Sequence, residues 1–230
     1  MKIFKRIVDQ RIREIVELSS NQCGFMRNCG TTNAIHAPRL LVGKHLEKNA
    51  PLHVAFLGLG KASDRLPHDN IWYSLRIHGV PEELVVWIEL LYDGTRSQVR
   101  TPYGTLKEFR VKFGVQPGSA LLQLVFILFM DAITEDIQKS VLWTLLYTDD
   151  VVLAAKTKAE LEQQVQTWYD HLVDFSLRLN VEKMEYLTTN KNEQGTVRVN
   201  GGELLRTHAF ICPKSFIRND ASSMTELNAA

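Results

Sequence analysis

Apolar residues recur at three- and four-residue steps from Ile3 through Phe4, Ile7, Val8, Ile12 and Ile15 to Val16, with Lys and Arg between them. This spacing predicts an amphipathic helix ending near Ser19. A polar loop with Gly24 and Gly30 follows. Thr31-Thr32-Asn33 then offers an N-cap, and Ala34 to Asn49 reads as a second helix. Pro38 sits one turn inside it, with Gly43 further on. A proline inside a helix costs roughly 3 kcal/mol or more, a large part of the about 5–15 kcal/mol that holds a domain folded.

Leu52 to Leu59 is a continuous apolar run, the signature of a strand buried on both faces. A turn from Lys61 to His68 leads to a helix over Asp69–Ile77. Gly79-Val80-Pro81 ends that helix, and Pro81 opens another that runs to about Tyr92. Gln98–Thr101 and Glu108–Phe113 predict a small hairpin around Tyr103-Gly104. Gln116-Pro117-Gly118-Ser119 leads into a long apolar helix from Ala120 to about Lys139. Two short apolar runs, Leu142–Leu146 and Val151–Ala155, predict a hairpin with Tyr147-Thr148-Asp149-Asp150 between them. Lys158 to Leu177 is an amphipathic helix with Leu161, Val165, Trp168, Leu172 and Phe175 on one face. Short strands at Tyr186–Thr188, Thr196–Val199 and Glu203–Leu205 close the pattern, with a turn at Asn200-Gly201. The tail from Arg218 reads as polar and frayed, and the four tryptophans as core or half-buried packing residues. The order predicts an α+β fold with a small, mainly antiparallel sheet and helices on one face.

The composition narrows the function classes. At 230 residues and 45% hydrophobic, the chain can bury one large core or two small ones. No apolar run is long enough to cross a membrane, and the N-terminus lacks the apolar stretch of a signal peptide. Cys23, Cys29 and Cys212 cannot all pair and match no zinc spacing, so they read as free thiols in a reducing compartment. Net charge is +1, but residues 1–50 hold nine Lys/Arg against four Asp/Glu, while residues 131–190 hold five against eleven. A basic front and an acidic region suit a polyanion held near a metal site; ordinary surface variation gives the same pattern.

Asp149 and Asp150 carry the chemistry. Two adjacent carboxylates at a hairpin tip repel unless a cation neutralises them. Magnesium prefers such oxygens and often takes one or two carboxylates plus substrate phosphates. A solvated turn is the other reading, since Asp is common in turns.

Five stretches in order resemble the reverse transcriptase domain of non-LTR (LINE-type) retrotransposons. Asn21-Gln22-Cys23-Gly24-Phe25 with Thr31-Thr32-Asn33-Ala34-Ile35 resembles the fingers motif. Phe56-Leu57-Gly58-Leu59-Gly60-Lys61-Ala62-Ser63-Asp64-Arg65 resembles the first palm motif, and Gly118-Ser119-Ala120-Leu121 with Phe126 the second. Tyr147-Thr148-Asp149-Asp150 resembles the Tyr-x-Asp-Asp of the third, and Leu179-Asn180-Val181-Glu182-Lys183 the fourth. The resemblance implies a right-hand polymerase palm with partial fingers: residues 1–50 as partial fingers, 51–190 as palm, and 191–230 as the end of the palm and the start of a truncated thumb. It implies RNA-directed DNA polymerisation by two-metal nucleotidyl transfer, with Mg²⁺ ions bridging the primer 3′-oxygen and the incoming triphosphate. The partners it implies are an RNA template, a DNA primer and deoxynucleoside triphosphates, within the cytoplasm or nucleus. No membrane association and no protein partner follow from it. Asp149 and Asp150 take the metal-binding places, with Asp149 the more strictly required. Lys183 takes the place of a lysine that donates a proton to the leaving pyrophosphate. Gly118 and Ser119 fall in the substrate-binding loop, and Arg27 in the fingers motif, where it would touch template.

The copy departs from the family where it matters. The first palm motif carries a metal-binding Asp at the position of Gly58, and a Phe at that of Ser63. Pro117 replaces a glutamine, and Phe210-Ile211-Cys212-Pro213-Lys214 has lost a Tyr-Leu-Gly turn. The upstream fingers strands, most of the thumb and an endonuclease domain are not in this sequence. The expectation is a degenerate, catalytically impaired reverse transcriptase domain that holds at most one Mg²⁺, weakly. Two other readings stand beside it: a non-catalytic nucleic-acid-binding remnant using Lys2, Lys5, Arg6, Arg11 and Arg13, and a functionless fragment of a retroelement.

Overall fold

The apolar periods become elements in the expected order in a computed structural model, which describes residues 2–26, 31–60, 62–111, 113–114, 120–140, 142–212 and 215–220. Helix α1 (Lys2–Ile15) and helix α2 (Thr31–Glu47) precede strand β1 (His53–Gly58). Helices α3 (Ala62–Arg65), α4 (His68–Ile77) and α5 (Glu82–Tyr92) follow, then the two-residue strands β2 (Arg96–Ser97), β3 (Arg100–Thr101), β4 (Gly104–Thr105) and β5 (Phe109–Arg110). Helix α6 (Ala120–Thr134), the hairpin β6 (Thr144–Tyr147) and β7 (Asp150–Ala155), and helix α7 (Lys158–Asp174) come next. A 3₁₀ turn at Val181–Lys183 leads to β8 (Glu185–Thr188), β9 (Arg198–Val199), β10 (Gly202–Glu203), β11 (Leu205–Arg206), β12 (Ala209–Cys212) and β13 (Ser215–Arg218).

The chain divides into two compact units, residues 1–18 with 61–133 and residues 19–60 with 134–230. In the first, Val8 and Ile12 of α1, Ile71 and Leu75 of α4, and Val85 and Ile88 of α5 are buried. Helix α6 is apolar nearly all round and buried over most of its length, as such a helix must be. His68, Trp72 and Tyr92 form an aromatic cluster in which Tyr92 meets both other rings edge-to-face. Trp87 is 41% exposed, on the side of α5 opposite the buried Val85, Ile88 and Tyr92, with its ring 6.0 Å from that of Phe4. The expected hairpin is two short ladders, β3 on β4 and β2 on β5, with Tyr103 fully exposed at the tip.

The second unit carries the candidate site. Its main sheet runs in the order β11-β8-β1-β7-β6, antiparallel except for the β11–β8 pair. β1 is central and buried at every position but Gly58. Side chains alternate along a strand, so Val54 and Phe56 share a face with Val152, Ala154 and Leu145 through the cross-strand register. Leu41 and Val42 of α2 join that cluster, and Phe210 stacks on Phe56 at 3.6 Å between centroids. Helix α7 packs on β7 and β1 through a stripe of Leu161, Val165, Trp168 and Leu172 that stands outside this cluster. That leaves it the face of Ala55, Leu57, Val151 and Leu153. Helices therefore cover both faces of the sheet, not one. The cause is visible in β1, whose two alternating sets are both apolar.

Pro38 does not break α2; the helix runs through it and Pro38 is buried. Asn200 and Gly201, with φ of 47° and 78°, make the two-residue turn between β9 and β10. The β12–β13 hairpin is an element the sequence pattern did not reveal. No helix among the described residues is long and apolar enough to cross a membrane.

Candidate active site

The β6–β7 hairpin is tighter than its sequence suggests. Tyr147 pairs with Asp150, so the turn is only Thr148-Asp149, and Thr148 takes a φ of 55°. Asp150 thus belongs to the strand, while Asp149 lies exposed in the turn. The Asp149 carboxylate accepts a hydrogen bond from Thr148 Oγ1 at 2.8 Å. Tyr147 packs against the α2-side core beneath them.

The end of β1 meets this turn. Gly58 is the cross-strand partner of Asp150, and Leu59 N donates to Asp149 O at 2.9 Å. Asn180 N donates to Gly58 O at 3.0 Å, which brings the turn at Val181–Lys183 to the same place. A Cβ placed on Gly58 would lie 3.8 Å from Asp150 Oδ1 and 3.9 Å from Lys183 Cβ, ordinary contact distances. Three segments far apart in sequence therefore converge around one point. Of the predicted residues, Asp149, Asp150, Lys183 and Gly58 are brought together there. Gly118, Ser119 and Arg27 lie outside the described residues. Asp64 is exposed in α3.

The Asp150 carboxyl is pushed up to about 6, first by burial and then by the charge of Asp149, with Lys183 partly opposing both. A raised carboxylate next to a second one marks a place that a cation would stabilise. Its donor set is thin: no group of three or more His, Cys, Asp or Glu occurs together among the described residues.

The stretch that resembles the fingers motif also reaches this hairpin. Leu146 N donates to Asn21 O at 2.9 Å and Cys23 N to Leu146 O at 2.8 Å, so Asn21–Cys23 adds a parallel edge to β6. The residues were visible as a motif; their place against the hairpin was not, because hydrogen bonds between distant backbone segments leave no mark in sequence.

The family model of reverse transcriptase (RNA-dependent DNA polymerase) matches residues 1–215. The chain belongs to the reverse transcriptase family. Among its relatives are the Pol polyprotein of the type-2 retrotransposable element R2DM of Drosophila melanogaster, 25% identical over 186 residues, and that of the type-1 element R2 of Nasonia vitripennis, 25% identical over 170 residues. These matches cover 77% and 70% of this chain but only 18% and 17% of the relatives. The chain thus spans less than a fifth of the length of the retrotransposon polyproteins it resembles. The fold agrees. Apo telomerase from Candida tropicalis truncated from its C-terminal domain superposes with a TM-score of 0.68 at 12% identity, over 97% of this chain and 44% of that one. Telomerase from Candida albicans, in complex with a fragment of telomeric RNA, gives 0.65 at 11% identity, over all of this chain and 38% of that one. The α+β architecture is that of a polymerase palm, and RNA-directed DNA polymerisation is the activity of the family.

Proposed function

We propose that this reverse transcriptase domain is catalytically impaired because its metal centre lacks the carboxylate at position 58. The observation that carries this is the register: Gly58 faces Asp150, and a Cβ there would stand 3.8 Å from Asp150 Oδ1. Asp149 and Asp150 fit one hard cation; without a third carboxylate across the strand they do not fit two. A bound Mg²⁺ would supply charge stabilisation for a transferring nucleotide. The chain's own residues would do the rest. Asp150, half-buried at the start of β7, would fix one cation ligand on a rigid strand. Asp149 would offer a second from the turn. Lys183 would hold a proton at Nζ for the leaving pyrophosphate.

The substrates proposed are an RNA template, a DNA primer and deoxynucleoside triphosphates, with Arg27, Gly118 and Ser119 as contacts to them. Residues 1–50 would serve as partial fingers, 51–190 as palm, and 191–230 as the palm end and thumb start. Cytoplasm or nucleus would supply these substrates.

Primer extension on poly(rA)/oligo(dT) with Mg²⁺ tests the reading, comparing the unaltered chain with Gly58→Asp. Loss of one metal carboxylate is expected to cost about 10³-fold in rate, on the order of 4 kcal/mol of barrier. Extension should therefore appear in Gly58→Asp and be lacking in the parent. Ready extension by the parent would overturn the impairment.

A second reading, a nucleic-acid-binding remnant, is favoured by one observation. Lys2, Arg6 and Arg11 project exposed from α1, whereas Arg13 is held by Asp9 at 3.1 Å.

A further inference from the structure

Gly24 lies beside the turn that carries Asp149. A Cβ built on it would overlap Thr148 N and come within 2.8 Å of Thr148 Cγ2. The conflict is with backbone, which no rotamer change can relieve. Position 24 therefore admits only glycine while the turn stays where it is. The contact is braced on the strap side. Gly24 N donates to Gln22 Oε1 at 3.0 Å, and Gln22 is 3% exposed. Asn21 Nδ2 donates to Gln138 Oε1 at 2.8 Å and to Lys139 O at 2.7 Å. The backbone of Asn21–Cys23 is fixed to Leu146, two residues before Thr148. On the far side, Asp149 O accepts from Leu59 N. The turn is thus held between a strap and the end of β1.

We propose that Asn21–Gly24 is the positioning element of the Thr148–Asp149 turn, with Gly24 as the residue that lets the strap seat against it. The functional consequence rests on the turn being the metal-binding turn of a polymerase. Neither Gln22 nor Gly24 touches a reacting group; both act through the backbone of Thr148.

Amide hydrogen exchange tests the placement without relying on activity. Gly24→Ala should displace the turn, break the Leu59 N to Asp149 O bond and speed exchange at Leu59 by about tenfold or more. Amides in the middle of β1 should keep their protection. Gly43→Ala, where an added methyl meets nothing within 4 Å, is the matched control and should leave Leu59 unchanged. Unchanged Leu59 exchange in a folded Gly24→Ala protein would mean that the strap yields and the turn does not, and the proposal would be overturned. Should Gly24→Ala lose its cooperative melt, Gln22→Ala carries the same comparison with a milder change and the same two outcomes. Primer extension is read separately in the Gly58→Asp background. There Gly24→Ala should lower kcat with little change in KM for the nucleotide. No extension by Gly58→Asp itself would sink the polymerase reading, while the Leu59 exchange still decides the strap.

Discussion

Asp150 sits half-buried, with its carboxyl raised to about 6 by burial and by Asp149. Because the folded state holds this proton more tightly than the unfolded state, the group stabilises most below about pH 4. That contribution is lost as pH rises through about 6. Asp150→Asn keeps the shape and removes the charge. It is expected to raise stability at pH 7.5 by on the order of 1–2 kcal/mol after allowing for solvent screening, and by almost nothing at pH 4. Denaturant melts at the two pH values would check this; an equal effect at both would remove burial of charge as the cause. The residue that costs stability in the resting protein is the one a cation would bind, a common exchange at functional sites.

At the scale of elements, α2 tolerates a proline because its neighbours hold it. Pro38 leaves a carbonyl one turn earlier without its helical partner, yet Leu41 and Val42 just beyond it are anchored in the core of the main sheet. Tertiary burial therefore outweighs the local defect. Pro38→Ala should restore that bond and raise stability by roughly 1–3 kcal/mol, measured as an increase in Tm. A drop would mean that the proline ring is itself needed by the core. The hairpin gives the complementary case. Its strands were legible from two apolar runs, but the turn length was not. Four small or polar residues lie between the runs, and cross-strand pairing draws two of them, Tyr147 and Asp150, into the ladder.

Over the whole molecule the charge is uneven, with the basic excess concentrated in residues 1–50. If Lys2, Arg6 and Arg11 of α1 contact phosphates, binding of an RNA–DNA duplex should weaken steeply between 50 and 200 mM salt. Replacing all three by Gln should reduce the slope of log K against log salt by about 2–3. Fluorescence anisotropy across a salt series measures it; a slope untouched by the triple change would place the phosphate contacts elsewhere. The division of the chain into two units, each drawing on two separate stretches, was not legible in the sequence, because no composition shift marks residues 18, 60 or 133.

The sequence by itself determined most of the elements, though not the β12–β13 hairpin, since periodicity depends only on which residues are apolar. It also determined the family resemblance, the Asp pair and the missing carboxylate at Gly58, because each is a matter of residue identity. Only the tertiary structure decided that Gly58 faces Asp150 and not Asp149, that Lys183 stands beside Gly58 and Asp150, and that Asn21–Gly24 closes on the turn from the other side. Those facts depend on register and on backbone contacts between segments far apart in sequence, which side-chain pattern along one strand cannot encode.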